Sequence, residues 1–339
     1  MDRDRRVRRR GGAAVADRGL AVLQAGRVGA PETRVRGGGR VGFNTGVTAF
    51  RLPAKLSEFA AGGQEPRLTA WAATLPSVVP ALVARWGLTV GTAYEPGGQC
   101  SWVAPATTAA GDAVVLKVGF RHSEAEHEAD GLRFWAGDGA VRVFDDATFD
   151  DTSALLLERA EPGTLLARAL PPLEQDVVLA GLLRRLWRRP PDGHPFRTLA
   201  SMCDAWAAEF DAKLSSAPAG WDRGLLREGI ALYRELPRTT ADEVVLCTDL
   251  HPENVVAARR EPWLVIDPKP YVGDRTYDAT QHMLNMDRLL TDPAGLSDRM
   301  ASLLDLEPAR LRQWMFARCV QGCPDWTELY DVAVTLARS

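Results

Sequence analysis

The sequence of 339 residues has few lysines, few cysteines and no long apolar run. Its five cysteines are an odd and scattered set, which is typical of a reducing compartment and argues against a disulfide framework. No apolar run approaches the ~18 residues that a membrane span requires. The net charge of −3 disfavours a dedicated nucleic-acid binder. We therefore expect a soluble, cytoplasmic, monomeric enzyme or binding protein with no nucleic-acid or membrane partner.

Several common phosphate-binding and catalytic motifs are also missing. The chain has no G-x-S-x-G elbow and no G-x-x-x-x-G-K-[ST] loop, which disfavours α/β-hydrolases and P-loop enzymes. Gly37, Gly39 and Gly42 fit the dinucleotide pattern G-x-G-x-x-G, but that pattern needs a strand before it and a helix after it. Neither is predicted here, so the pattern carries no function.

Residues 1–50 differ in composition from the rest of the chain. They hold 11 Arg against 4 Asp and Glu, and 10 of the 30 glycines, but none of the 10 tryptophans. Such a segment buries too little apolar surface to offset the entropy of ordering, so we predict a disordered basic tail. The alternative is a basic arm that binds nucleic acid or anionic lipid.

The predicted elements change in kind near residue 160, which indicates an α+β fold with segregated strands and helices. We predict an N-terminal domain over residues 51–160 and a helical domain over 161–339. A capping box at Ser123 and Glu126 predicts a helix over Ser123–Trp135 in the first domain. The strands of that domain are predicted at Leu88–Glu95, Ser101–Ala106, Ala113–Phe120, Val141–Phe144 and Ala154–Glu158. The second domain has predicted helices at Leu173–Arg189, Arg197–Leu214, Arg223–Leu236 and Arg275–Leu290, and strands at Glu243–Cys247, Asn254–Ala258 and Trp263–Ile266.

The most informative residues lie between the strands of the second domain. Asp249 follows an apolar strand, Asn254 comes after four further residues, and Asp267 ends the next hairpin. This spacing is the layout that kinases use for phosphoryl transfer. Asp249 would orient the acceptor hydroxyl as catalytic base, while Asn254 and Asp267 supply oxygen ligands for Mg²⁺. The alternative is a polar hairpin in which the same side chains only cap turns.

A lysine in an apolar strand supports the kinase interpretation independently. The chain has only four lysines against 37 arginines, and Lys117 lies within Ala113–Phe120. A compact ammonium there suits phosphate oxygens, although it could also be a snorkelling lysine on an edge strand. Glu128 is the predicted carboxylate partner of Lys117, with Glu124 as second choice. The turn containing Gly97 and Gly98 could cover nucleotide phosphates, but two glycines fit any hairpin.

Together these segments resemble the aminoglycoside phosphotransferases, in particular the streptomycin 6-kinase and hydroxyurea kinase branch. The resemblance covers roughly residues 65–335 and is most specific in the run from Trp263 to Lys269, followed by Gly273-Asp274 and Tyr277-Asp278. It implies a two-lobed protein-kinase-like fold, ATP with Mg²⁺, and phosphorylation of a hydroxyl on a small cationic molecule. It further implies an adenine-binding hinge at Leu157, Glu158 and Ala160, which acts through backbone groups.

One position departs from that family, whose usual His-Gly before the catalytic Asp is Cys247-Thr248 here. The departure leaves the acceptor open between an aminoglycoside such as streptomycin, hydroxyurea and another metabolite. A kinase-fold binding protein without transfer activity is a further alternative. A polycationic sugar would need acidic residues in the helical domain, and Glu161, Asp204 and Glu209 are candidates that the sequence does not rank.

Removal of the basic tail tests its predicted dispensability. A chain that starts at Val47 should keep its turnover and its melting temperature, because a disordered segment contributes little packing. Limited proteolysis of the full chain should stop near the same boundary. Loss of folding or activity on truncation would show that the tail packs on the enzyme.

Overall fold

The computed structural model describes residues 50–63 and 65–338, so the predicted tail lies outside the described residues except for Phe50. The described residues form two compact units. One contains residues 50–122 and 145–156, and the other contains residues 123–144 and 157–338. The first is rich in strands and the second is mostly helical, which confirms the predicted α+β segregation. The predicted domain limits, 51–160 and 161–339, stay a prediction.

Three short helices and three strands lie within the first unit, together with most of two further strands. The helices are α1 (Ala54–Ala61), α2 (Pro66–Ala72) and α3 (Leu75–Trp86). The strands are β1 (Leu88–Val90), β2 (Ser101–Thr108), β3 (Ala113–Phe120), β4 (Val143–Phe149) and β5 (Thr152–Glu158). They form one sheet in the order β1-β2-β3-β5-β4, and β2 pairs antiparallel with β3, with Val103 opposite Lys117. Helix α3 ends where Gly87 takes a left-handed φ of 59°, a conformation that suits glycine.

The second unit contains the remaining eleven helices of the described chain. They are α4 (Glu128–Trp135), α5 (Leu166–Ala169), α6 (Pro172–Leu186), α7 (Leu199–Leu214), α8 (Arg223–Glu235), α9 (Arg275–Asp278), α10 (Thr280–Met283), α11 (Met286–Thr291), α12 (Pro293–Leu304), α13 (Pro308–Gly322) and α14 (Glu328–Leu336). The core of this unit includes α13, where Trp314, Met315 and Cys319 are fully buried. Helix α13 packs against α8, α12 and α14, so it is central to the helical unit.

Two small sheets of the second unit position the loop that carries the sequence-predicted base. Their strands are β6 (Pro162–Leu165), β7 (Arg197–Thr198), β8 (Glu243–Leu246), β9 (Val255–Ala258), β10 (Trp263–Val265) and β11 (Tyr271–Asp274). One sheet has the order β10-β9-β6 and the other β7-β11-β8. Strand β8 leads into Asp249, and β9 and β10 form the hairpin that follows. Strand β11 pairs antiparallel with β8, so the segment before β11 returns to the start of this loop.

Some predicted boundaries are wrong for identifiable reasons. The predicted capping box does not form, because Ser123–Ala125 make a separate 3₁₀ turn and helix α4 begins only at Glu128, without a side-chain cap at His127. The predicted helix over Arg197–Leu214 loses its first two residues to β7, which pairs in parallel with β11. Strands β6 and β11 were not predicted, because both are four residues long and show no clean alternation.

Among residues 50–63 and 65–338, no single helix is both long enough and apolar enough to cross a bilayer. Helices α2 and α3 reach that composition only when combined, and they bend by 56° at their junction. Their apolar side chains Leu68, Trp71 and Leu75 are buried in the core of the first unit.

A pair of helix glycines tests the packing of the second unit. A Cβ at Gly229 in α8 would lie 2.7 Å from Cβ of Val320 in α13, so Gly229→Ala should lower the free energy of unfolding by ~1–3 kcal/mol through overpacking. Gly181 in α6 has no heavy atom within 4 Å of an added Cβ. Gly181→Ala should therefore raise the free energy of unfolding by ~0.5–1 kcal/mol, because alanine is more stable than glycine inside a helix. Urea unfolding of both variants measures the two signs, and a stabilised Gly229→Ala would contradict the close α8–α13 packing.

Candidate active site

The loop after β8 is tightly folded around Asp249. The N–H of Asp249 donates to the carbonyl of Cys247 at 2.8 Å, and Thr248 between them has a φ of 49°. A β-branched residue rarely adopts this left-handed conformation, which glycine adopts freely. The hydroxyl of Thr248 donates to the carbonyl of Lys269 at 2.6 Å, a bond that glycine would not make. Where the family usually has the glycine of His-Gly, this chain thus has a threonine with a strained backbone conformation, which the hydroxyl of that threonine helps to hold.

A buried carboxylate holds the same loop from behind. Asp278, at the end of α9, accepts the N–H groups of Cys247 at 3.0 Å and Thr248 at 2.6 Å. It also accepts the indole N–H of Trp187 at 3.0 Å. Burial raises the pKa of Asp278 to about 6, although the three donors act in the opposite direction. These bonds fix the backbone immediately before Asp249.

Asn254 and Asp267 come together because they stand at the two ends of one hairpin. Val255 and Val265 are opposite each other in the β9–β10 pair, and the N–H of Ile266 donates to the carbonyl of Asn254 at 2.9 Å. Nδ2 of Asn254 donates to the carbonyl of Asp249 at 3.0 Å, which turns the amide oxygen away from that carbonyl. Among the described residues no three His, Cys, Asp or Glu side chains group as a metal site. An amide oxygen and one carboxylate are nevertheless ligands that suit Mg²⁺, which keeps water and phosphate oxygens in its remaining positions.

Polar side chains approach both carboxylate oxygens of Asp249. Nε2 of Gln281 donates to Oδ1 at 3.0 Å, and Nζ of Lys269 lies 3.2 Å from Oδ2. Nε2 of His251 is 3.9 Å from Oδ1, and burial lowers the pKa of His251 against the opposing effect of Asp249. Asp249 is only 7% exposed, so these neighbours replace water around a nearly buried charge.

Lys269 links two acidic groups of the second unit. Its Nζ is 3.6 Å from Oε2 of Glu124, in the 3₁₀ turn before α4, as well as 3.2 Å from Asp249. The sequence offers Glu124 as the second-choice partner of Lys117, and it does not predict this ion pair with Lys269. One lysine therefore partly neutralises two buried carboxylates at the candidate site.

The other sequence-predicted nucleotide-site residues are distributed over the two units. Lys117 is buried in β3 of the first unit, and Glu128 is buried at the start of α4 in the second. Their pairing stays a prediction. Gly97 has a φ of 77°, and an added Cβ would lie 3.1 Å from Cγ of Pro53. The positive φ and the close approach to Pro53 thus give a structural reason for glycine at position 97.

In the predicted hinge, Leu157 is buried and the side chain of Glu158 is bound by an arginine. Both carboxylate oxygens of Glu158 accept from Arg260, at 2.8 and 2.9 Å, and its N–H donates to the carbonyl of Arg142 at 2.8 Å. Burial raises the pKa of Glu158, but the Arg260 guanidinium and the N–H of Arg142, which donates to the carboxylate, together outweigh burial and lower the pKa overall. Any nucleotide contact at Glu158 is therefore left to its carbonyl, and Ala160 follows two residues later.

Two of the three candidate substrate acids pair with arginines. Asp204 forms an ion pair with Arg238, and Glu161 lies 3.5 Å from Arg259. A carboxylate already paired with a guanidinium attracts a second cation less strongly than an isolated one. The geometry therefore ranks these two lower as substrate ligands than the sequence could.

Comparison with known proteins shows the family of the chain. The family model described as aminoglycoside/hydroxyurea antibiotic resistance kinase matches residues 85–328. The chain belongs to this family. It is therefore a phosphotransferase that uses ATP and acts on a hydroxyl group of a small molecule. A streptomycin 6-kinase of Streptomyces griseus is 36% identical over 269 residues, which cover 77% of this chain and 85% of the relative. A hydroxyurea phosphotransferase of Kitasatospora aureofaciens is 32% identical over 292 residues, which cover 84% of this chain and 81% of the relative.

Solved structures of more distant proteins share the fold of this kinase. A choline/ethanolamine kinase family protein from Mesorhizobium loti has a TM-score of 0.53 at 15% identity, over 80% of this chain and 93% of that one. The amicoumacin kinase hAmiN has a TM-score of 0.51 at 16% identity, with the same coverages. At these identities the likeness concerns the fold, and it confirms the predicted protein-kinase-like two-lobed fold.

Sequence reasoning missed Lys269, Asp278 and Gln281 at the kinase's candidate site, and Arg318 behind it, whose guanidinium donates to Gln281. Lys269 and Asp278 lie in the motif that identified the family, and the scarcity of lysine was a usable signal for the first. Gln281 and Arg318 carried no signal, because a glutamine in a short helix and an arginine in an amphipathic one are ordinary surface residues in a sequence. Both are 2% exposed in the structure.

The buried carboxylate of Asp278 predicts a dependence of stability on pH. Burial raises its pKa from 3.8 to about 6 on folding, so the folded kinase binds this proton more tightly than the unfolded chain. The resulting stability is fully present below about pH 4 and is lost as the pH rises through 6. Asn does not titrate, so the advantage of the wild type over Asp278→Asn in free energy of unfolding should shrink by roughly 2–3 kcal/mol from pH 4 to pH 7. Urea unfolding at several pH values measures it.

Asp192→Asn, which removes an exposed carboxylate from the same unit, controls for the loss of charge. Turnover of Asp278→Asn should also fall, because an amide offers one acceptor oxygen where three N–H groups converge. A gap between wild type and Asp278→Asn that grows with pH would contradict the raised pKa.

Proposed function

We propose that this kinase transfers the γ-phosphoryl group of ATP to a hydroxyl of an aminoglycoside such as streptomycin. The observation that carries the proposal is the coincidence of Asp249, Asn254 and Asp267 at one loop and hairpin in a chain that is 36% identical to a streptomycin 6-kinase. This would make the chain an antibiotic-resistance enzyme. It would act in the cytoplasm, where ATP is abundant and the five cysteines remain thiols.

In this proposal Asp249 is the catalytic base. The acceptor oxygen attacks the γ-phosphorus in line with the departing oxygen, the bond from the γ-phosphorus to the β–γ bridging oxygen breaks with its electrons going to ADP, and the hydroxyl proton passes to Asp249. Gln281 donates to Oδ1 of Asp249, and Lys269 and Asn254 contact Oδ2 at 3.2 and 3.5 Å, so the carboxylate is held in one orientation before it accepts the proton. Lys269 beside Oδ2 keeps a positive charge next to the reacting oxygens as negative charge redistributes.

Asn254 and Asp267 would hold the Mg²⁺ ion, which supplies neutralisation of the phosphate charges. The support for this assignment is the chemistry of the two side chains and their placement at the ends of one hairpin. One carboxylate and one carboxamide bind a hard cation without concentrating excess negative charge, and so leave room for phosphate oxygens.

The nucleotide itself would be bound by the residues that the sequence predicts for it. Lys117 would anchor phosphate oxygens, with Glu128 as its ion-pair partner, and the turn at Gly97 and Gly98 would donate backbone N–H groups. Leu157, Glu158 and Ala160 would meet adenine through backbone groups. Burial of Lys117 and Glu128 supports their proposed ion pair, because a buried lysine and a buried glutamate each require an opposite charge.

A hydroxyurea kinase is the second candidate function. It is favoured by the hydroxyurea phosphotransferase of Kitasatospora aureofaciens, which is 32% identical over 84% of this chain. Hydroxyurea is small and neutral, so it would need no acidic pocket. Glu161 and Asp204 are paired with arginines, which weakens them as ligands of a cationic acceptor but does not affect a neutral one.

An acceptor assay separates the two functions and tests the base. Purified kinase with ATP and Mg²⁺ is given streptomycin or hydroxyurea, and ADP release and the mass of the acceptor are measured. We expect streptomycin to be phosphorylated with the higher kcat/KM. In the same assay Asp249→Asn should lower kcat by ~10²–10⁴-fold while ATP still binds, because only the base is lost.

Glu253→Gln is the matched control, since it makes the same carboxylate-to-amide change at an exposed residue of the same loop. It should keep kcat close to that of the wild type. Phosphorylation of hydroxyurea alone would replace the first candidate by the second. An Asp249→Asn variant with wild-type turnover would refute the assignment of the base.

A further inference from the structure

A chain of buried hydrogen bonds leads from the core of the helical unit to Asp249. Nη2 of Arg318, in α13, donates to Oε1 of Gln281 at 2.9 Å. Nε2 of Gln281, in α10, donates to Oδ1 of Asp249 at 3.0 Å. Arg318 and Gln281 are each 2% exposed, so neither is placed there by contact with solvent.

Arg318 determines which way the amide of Gln281 faces. A guanidinium carries only donors, so the group that meets it must be the amide oxygen. The NH₂ group of Gln281 then has to face Asp249, where an ionised carboxylate can only accept. The reverse orientation would place two donors against each other at one end and two acceptors at the other. The hydrogen-bond partners of Gln281 therefore determine which end of its amide is the oxygen and which is the nitrogen.

Arg318 is itself held on several sides. Its guanidinium lies over the rings of Trp206, at 5.6 Å from the centroid, and Tyr277, at 5.0 Å, and it donates to the hydroxyl of Tyr277. Holding a guanidinium in the core is costly unless its donors are satisfied, and here aromatic faces and two oxygen acceptors satisfy them in part. These contacts fix the guanidinium in one place, from which it can orient the amide of Gln281.

We propose that Arg318 and Gln281 are positioning residues for the catalytic base, and this inference rests on the proposed role of Asp249. Arg318 orients Gln281, and Gln281 holds Oδ1 of Asp249 while Lys269 and Asn254 contact Oδ2, so that the carboxylate keeps one orientation toward the acceptor hydroxyl. A carboxylate free to rotate about its Cβ–Cγ bond would exchange its two oxygens, whereas the bond to Gln281 keeps Oδ1 on the side of Gln281. The consequence is a higher fraction of productive geometry without any contact between these two residues and the substrate.

Substitution of Gln281 by glutamate separates hydrogen-bond donation from shape, because glutamate is nearly the same size as glutamine. Gln281→Glu keeps an acceptor for Arg318 but offers Asp249 no donor, and Gln281→Leu removes both contacts. We expect both variants to lower kcat with streptomycin about tenfold or more, with KM for ATP changed by less than about threefold. Hydroxyurea is assayed in parallel as acceptor. Gln175→Glu is the matched control: this buried glutamine, in α6, donates to the carbonyl of Leu170 and is not one of the residues of the candidate site. It should keep the wild-type kcat on protein that remains folded.

Retention of wild-type kcat by Gln281→Glu would overturn the inference, since it would show that the side chain only fills space. Asp249→Asn is measured in the same assay to separate failure of the base assignment from failure of the positioning role. If Asp249→Asn is inactive while Gln281→Glu is fully active, only the positioning role fails. If Asp249→Asn keeps its turnover, the assignment of the base fails and the inference fails with it.

A double-mutant cycle tests whether Arg318 acts through Gln281. Arg318→Met should lower kcat in the wild-type background and have little further effect in Gln281→Leu, because the orienting bond is already gone. Simple addition of the two effects would overturn the proposed connection. Arg318→Met also disturbs the core, so kcat is compared only for protein with a cooperative urea transition. Where Arg318→Met does not fold, the turnover of the two Gln281 variants decides between a positioning role and simple packing.

Discussion

The candidate site depends on burying negative charge next to the backbone that carries the base. Asp278 accepts the two N–H groups before Asp249, and Asp249 itself is almost enclosed. Removing a carboxylate from water is costly, and the cost is offset only when hydrogen bonds replace the lost solvation. Here those bonds come from the loop, from Gln281 and from Lys269. The same contacts that make the charges tolerable also fix the loop in one conformation.

Much of the fold could be predicted because apolar periodicity is a local property of the chain. Strand β3 was predicted with the bounds that the structure shows, and α8 with an error of one residue at its end. The sequence also predicted Asp249, Asn254 and Asp267 as one site, because Asp249 follows an apolar strand and the other two stand at the ends of the next hairpin. Errors arose where a non-local partner decided the local structure. Arg197 and Thr198 continue a helical pattern but pair with β11, and a single sequence does not reveal that strand as a partner.

The contacts that surround the base were beyond sequence reasoning for a related reason. Gln281 and Arg318 are 37 residues apart, and each looks like a surface residue on its own helix. Only the packing of α10 against α13 buries both and brings them into line with Asp249. Lys269 is different, because its rarity in an arginine-rich chain was visible, but its contact with Glu124 required the 3₁₀ turn that replaced the predicted capping box.

The distribution of the cysteines makes thiol modification a measure of how often the helical unit opens. All five cysteines are thiols, and four of them, Cys203, Cys247, Cys319 and Cys323, are buried in the second unit. Burial raises the pKa of the thiols of Cys203, Cys319 and Cys323 to about 12, so at neutral pH almost none of each is the nucleophilic thiolate. Cys100 is partly exposed and belongs to the first unit. Alkylation of the native kinase would thus be confined to Cys100, and modification of the other four would proceed only as fast as the helical unit opens.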